Sequence, residues 1–187
     1  MTKFIDTYRI ETGRKVGWNY SSDGFYFITI CTLNKGKLFG KIVDGEMILN
    51  KCGEIANNCI LEIPKHFANV WLEAFVVMPN HVHILFHVET PNLASLQDNR
   101  KVTLINYSHD NHPNYFPRLN QKSKQLVPKI IQQYKAYVKR QTKINNLFFG
   151  WQSRYYDEII EDEKRFKIIK YYIKNNPKNW WKDRLNQ

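Results

Sequence analysis

The chain has no uninterrupted apolar run of the roughly eighteen residues that a membrane-spanning helix needs. Its first residues, MTKFIDTYRIETGRK, hold no apolar stretch of the secretory-signal kind, so the cytoplasm is the expected compartment and no membrane partner is expected. Cysteine is scarce. Cys31, Cys52 and Cys59 are odd in number and form no CxxC pair, which argues against a disulfide framework or a cysteine-built zinc site. They read as buried thiols. No internal repeat and no domain-sized linker interrupts the 187 residues, so a single domain spanning 1–187 is expected. Acidic residues are the minority charge, 17 against 28 lysines and arginines. The deficit is uneven. From Ser123 to Gln187 there are 15 basic and 6 acidic residues, whereas Lys51 to Thr90 has 2 basic and 4 acidic. A basic C-terminal third beside a slightly acidic, apolar middle suggests a polyanion bound on one side.

What is present reads as a mixed α+β chain. "GFYFITICTL" (24–33) is β-branched and aromatic and predicts a strand. "KIVDGEMILN" (41–50) carries Asp44-Gly45, a two-residue hairpin signal. Ile55, Cys59, Ile60 and Ile63 recur at helical spacing, and Pro64 is expected to end that helix. "VWLEAFVVMPN" and "HVHILFHV" predict two strands around Pro79-Asn80. Residues 89–125, rich in Asn, Ser, Pro and Lys, predict a long surface insertion. His109 and His112 lie within it. "LVPKIIQQYKAYVKRQTKI" and "EDEKRFKIIKYYIKNN" predict helices, with a strand in "FFGWQSRYYDEII" between them. Pro177 should stop the last helix and push Asn176 away from helical geometry. The expected architecture is a central antiparallel sheet with helices on one face.

His81 and His83 stand inside the apolar run "VVMPNHVHILF". On a strand, i and i+2 project together, about 7 Å apart at the Cα atoms for a rise of ~3.4 Å per residue. Two imidazoles so placed can close on one metal ion, or can be core histidines satisfied by hydrogen bonds. A zinc hydrolase would want a third His, Asp or Glu ligand. Mg²⁺ or Mn²⁺ would want oxygen ligands and would accept a phosphate among them.

In "KYYIKNNP", Tyr172 and Asn176 are four apart and share a helical face. An amide oxygen on Asn176 could coordinate a hard cation, and the Tyr172 phenol would stand beside it. A phenol, with a free pKa near 10, is a weak nucleophile unless its target is strongly activated, as a metal-clamped phosphate is. Tyr137 and Gln141 in "YVKRQ" have the same spacing and make Tyr137 the rival nucleophile.

Together, "MPNHVH" and the downstream "YIKNNP" resemble the HUH single-tyrosine transposases, in particular the REP-associated tyrosine transposases. "FYFITICT", "LFGKIVDGEMILN", "IPKHF", "WQSRYYDEII" and "YIKNNPKNW" extend the likeness from Gly24 to Trp180, apart from the 89–125 insertion. The resemblance implies an HUH endonuclease domain of ferredoxin-like or RRM-like arrangement. It implies that His81, His83 and Asn176 bind one divalent cation, Mg²⁺ or Mn²⁺. Tyr172 would be the catalytic nucleophile, attacking single-stranded DNA to leave a 5′-phosphotyrosine and a free 3′-OH. Imperfect palindromes that fold into hairpins would be the substrates, the protein would be nucleoid-associated, and it would act as a monomer or homodimer.

DNA affinity should come from phosphate neutralisation and from base stacking. Arg9, Arg14, Lys135, Lys139, Arg140, Arg154, Lys170 and Lys174 are the candidate cations, with Trp151 and Tyr155 in the polar-aromatic cluster "WQSRYY", and Trp180, as candidate stacking surfaces. Two other readings stand beside this one: a non-catalytic module that binds nucleic-acid hairpins, and a zinc-dependent enzyme built on the histidine pair.

Overall fold

A computed structural model describes residues 15–89 and 125–186, with the backbone of residues 3–4 and 7–8. Arg9, Arg14, His109, His112 and nearly all of the expected 89–125 insertion lie outside the described residues. At the N-terminus β1 (Lys3–Phe4) pairs antiparallel with β2 (Thr7–Tyr8).

The main sheet is built from β3 (Gly24–Cys31), β6 (Val70–Met78), β7 (His81–Val88) and β8 (Tyr156–Ile160). Their order is β6-β7-β3-β8, and every neighbouring pair is antiparallel. Between β3 and β6 come the hairpin β4 (Gly40–Val43) and β5 (Glu46–Leu49), then α1 (Lys51–Leu61) and α2 (Ile63–His66). The hairpin turns at Asp44 (φ 51°) and Gly45 (φ 77°), the left-handed pair that a tight two-residue turn requires. Pro64 opens α2 instead of merely ending α1, because the first turn of a helix needs no donor from it. The last elements are α3 (Leu126–Ile144), β8 and α4 (Glu163–Asn175). Without the hairpins this is the strand–helix–strand–strand–helix–strand order of a ferredoxin-like sheet. No helix of the described residues is long and apolar enough to cross a membrane.

Strand alternation splits the core in two. Tyr26, Ile28 and Ile30 of β3 and Val82, Ile84 and Phe86 of β7 meet α1 and α3 through Ala56, Cys59, Ile60, Ile130, Tyr134 and Val138. Phe27 and Leu85 point the other way and meet Ile160, Ile169 and Ile173. The helices therefore cover both faces, and the expectation of a single covered face is corrected. β7 is buried at nearly every position, so both of its faces are covered. Burying Ile169 and Ile173 secures α4 on the second face by about 1.5–3 kcal/mol for each side chain.

Two local features set where α4 starts and how it ends. Asp162 caps its N-terminus, accepting the Arg165 N–H at 2.7 Å, with Glu163 favourably placed in the first turn. At the other end Asn176 stays helical (φ −57°, ψ −44°), against the expectation from Pro177. The chain runs on into a 3-10 helix, Pro177–Lys182, where the proline occupies a first-turn position. Burial of Asn176 and Trp180 holds this continuation in place. A second 3-10 turn, Arg184–Asn186, follows.

Candidate active site

The site forms where the α4 face of the sheet meets the end of α4. His81 and His83 lie on β7, in the centre of the sheet, and are 0% and 2% exposed. Their Nε2 atoms are 3.0 Å apart. Each ring is held by its other nitrogen. His81 Nδ1 is 2.8 Å from Asn80 Oδ1, and His83 Nδ1 is 2.8 Å from Thr29 Oγ1, its cross-strand neighbour on β3. The Asn80 amide oxygen can only accept, so His81 carries its proton on Nδ1 and turns an Nε2 lone pair inward. Asn80 also donates from Nδ2 to the Leu185 carbonyl at 2.5 Å, tying His81 to the C-terminal turn.

That turn brings in Asp183. Its Oδ2 lies 3.7 Å from His81 Nε2, and the ligand atoms of His81, His83 and Asp183 all fall within 4.8 Å of one another. Asp183 Oδ1 accepts the Leu185 N–H at 2.7 Å. Its Oδ2 is buried with no hydrogen-bond partner among the described residues, and so is Asn176 Oδ1. Orphaned buried acceptors are rare and costly.

Tyr172 completes the cluster. Its hydroxyl is 3.1 Å from His83 Nε2, and its ring stands edge-on to His83 at 5.2 Å and to Phe27 at 6.3 Å. It is 40% exposed, so the phenol is reachable from solvent. Trp180 closes the far side with its ring 6.0 Å from that of His81.

The electrostatics are those of a neutral-histidine, electron-rich pocket. Burial pushes His81 down to about 4, with the Asp183 carboxylate pulling it back up. Burial, then the adjacent His81, hold His83 well below the usual histidine value. Burial, then Asp183, raise the Tyr172 phenol, while the Asn176 side chain lowers it. At neutral pH the site presents two uncharged imidazoles and a protonated phenol.

Four of the sequence-predicted residues, His81, His83, Tyr172 and Asn176, thus meet in one place. The rival Tyr137 is buried on α3, against the opposite face of the sheet, and lines a groove with Cys59 of α1 and Glu62, the residue that follows that helix. Lys139 and Arg140 are exposed on that same helix. Lys135 is committed elsewhere, donating to the carbonyls of Gln152 at 2.5 Å and Ser153 at 3.2 Å. Trp151 is half-buried, giving its Nε1–H to the Lys135 carbonyl and packing on Phe39 and Phe149. Lys170 pairs with Glu73 at 3.1 Å across to β6. Lys174 and Arg154 are exposed. Asp183 is the residue the sequence reading missed. A lone acid in "WWKDRLNQ" belongs to no motif, and only the helical continuation through Asn176 delivers it.

No family model matches the chain. A Haemophilus influenzae protein described as uncharacterized is 37% identical over 172 residues, covering 90% of this chain and 88% of its own. The solved structure of a REP-associated tyrosine transposase bound to a REP hairpin superposes with a TM-score of 0.53 at 14% identity, covering 95% of this chain and 73% of that one. This second likeness establishes a common fold. The chain belongs to the family of the Haemophilus influenzae protein and has the fold of a REP-associated tyrosine transposase.

Proposed function

We propose that this chain is a metal-dependent nuclease and strand transferase acting on single-stranded, hairpin-forming DNA, with Tyr172 as its nucleophile. The observation that carries the reading is the meeting of the Tyr172 hydroxyl with two buried imidazoles and two unpartnered buried oxygens.

The donor set fits a divalent cation. His81 Nε2, His83 Nε2, Asn176 Oδ1 and Asp183 Oδ2 would hold it, and orphaned acceptors are what such a site leaves when only protein atoms are counted. Mixed nitrogen and oxygen donors suit Mn²⁺, and Mg²⁺ less well. When bound, such a cation polarises a phosphate and stabilises the charge that develops on it. The neutral imidazoles are ready to ligate without losing a proton. Asn80 and Thr29 hold the two rings so that both Nε2 atoms converge. Phe27 and His83 hold the Tyr172 ring edge-on, which fixes where its hydroxyl points.

Attack by Tyr172 Oη on a DNA phosphorus forms the Tyr–O–P bond and breaks the P–O3′ bond. The phenol proton is lost and the leaving 3′-oxygen gains one, giving a 5′-phosphotyrosine and a 3′-OH. The phosphodiester energy is kept, so a 3′-OH can reverse the step and rejoin or transfer the strand. Tyr172 meets His83 of its own chain, which supports cleavage in cis by a monomer. One observation favours a second reading: Asp183 supplies the third, carboxylate ligand that a zinc enzyme would want.

The test is nicking of a labelled single strand carrying an imperfect hairpin, with Mn²⁺, Mg²⁺ or Zn²⁺. The proposal expects a product with a free 3′-OH in Mn²⁺ or Mg²⁺, abolished in Tyr172→Phe. Binding without nicking favours a recognition module. Activity with zinc alone, on substrates other than DNA, favours the second reading.

A further inference from the structure

Two large aromatic rings near the site are left in water. Tyr171 is 70% exposed and Trp181 is 73% exposed. Each is the chain neighbour of a ring that touches a site histidine: Tyr172 on His83 at 5.2 Å, and Trp180 on His81 at 6.0 Å. Adjacent residues are about 3.8 Å apart at Cα, so the exposed rings start at the rim of the cluster, one from α4 and one from the turn after it. They are not packed on a core. Trp181 has the Lys182 ammonium 4.4 Å over its ring, and Lys37 reaches over Trp180 at 5.8 Å. Lys37, Lys174 and Lys182 are exposed, and none of them makes an ion pair among the described residues.

Exposed aromatics interleaved with unpaired cations suit a single-stranded polyanion whose bases are free to stack. We propose that Tyr171 and Trp181 are base-stacking platforms on either side of the cluster, and that single-stranded DNA crosses it with flanking phosphates on Lys37, Lys174 and Lys182. This rests on the single-strand nuclease reading and deepens it by locating the strand's path. A duplex cannot use the platforms, because its bases already stack on one another. The strand is therefore selected for unpaired nucleotides next to the attacked phosphate, and a hairpin stem alone is a poor ligand.

Fluorescence anisotropy tests this, with the full chain carrying Tyr172→Phe to prevent covalent capture. The probe is a labelled hairpin with a single-stranded flank, in the presence of Mn²⁺. Trp181→Ala and Tyr171→Ala should each raise Kd by roughly tenfold, within the range known for loss of one base–aromatic stack. Trp181→Phe should retain most of the affinity. Lys174→Ala and Lys182→Ala should each lower the slope of log K against log salt by about 0.7. Thermal melts confirm folding, since the altered side chains are exposed. Wild-type affinity in the Trp181→Ala, Tyr171→Ala double variant overturns the platform, while an adduct on Tyr172 would still uphold the nuclease reading. Failure of the parent protein to bind any single strand overturns both. A Trp181→Ala effect on self-association instead of DNA affinity marks a protein interface and also overturns it.

Discussion

Removing the negative charge of Asp183 should make the metal-free protein more stable and at the same time weaken its response to metal. The metal-free cluster holds two inward-facing ring nitrogens 3.0 Å apart and two buried oxygens without donors. Each orphaned acceptor costs about 1–3 kcal/mol. Asp183→Asn keeps Oδ1 for the Leu185 N–H and places an NH₂ donor where Oδ2 now faces His81 at 3.7 Å. One orphan is relieved, so the metal-free Tm should rise by a few degrees, at about 2–4 °C per kcal/mol for a chain of this size. Wild-type protein should instead gain from Mn²⁺: at 100-fold over Kd the linkage is about 2.7 kcal/mol, or roughly 5–10 °C. In Asp183→Asn that gain should shrink to a fraction. Thermal unfolding of both proteins in EDTA and in graded Mn²⁺ reads all four values. A wild-type Tm that ignores millimolar Mn²⁺, or an Asp183→Asn protein less stable in EDTA than wild type, would refute the electron-rich pocket.

Other outcomes follow from the same geometry. Burial holds His81 at about 4 when folded against about 6.5 unfolded, so the unfolded chain binds more protons between those values. Stability should therefore be fully present above pH 6.5 and fall as pH drops toward 4, by about 3 kcal/mol from His81 alone, with His83 adding in the same direction; urea melts across that range check the sign. Asn80→Ala frees the His81 ring and its link to Leu185, and should weaken Mn²⁺ binding by about 10–100-fold in a calorimetric titration while β7 remains paired. Lys139→Ala and Arg140→Ala, on the helix that covers the opposite face, should change DNA affinity far less than Lys174→Ala or Lys182→Ala in the same salt titration.

Much of this site was legible because local patterns decide it. Strand parity alone put His81 and His83 on one side, and helical spacing put Tyr172 over Asn176. The Asp44-Gly45 turn needs only two residues. What failed were features set at a distance. Pro177 argues locally for a break at Asn176, but the buried Asn176 and Trp180 make the helical continuation the better packed choice. Asp183 depends on that continuation and so was invisible. The second covered face rests on Phe25, Phe27 and Leu85, which strand alternation turns away from α1 and α3 and toward Ile169 and Ile173 of α4. Lys135 and Trp151 looked like nucleic-acid contacts by type. Tertiary contacts spend Lys135 on two carbonyls and bury half of Trp151.

The central claim is that the Tyr172 oxygen attacks DNA. Intact and peptide mass spectrometry of the protein after incubation with Mn²⁺ and a hairpin-bearing single strand tests it directly. The expected result is a covalent nucleotide adduct mapped to the α4 peptide at Tyr172 and missing in Tyr172→Phe. An adduct on Tyr137 or another residue, or strand cleavage with no protein adduct at all, would contradict it.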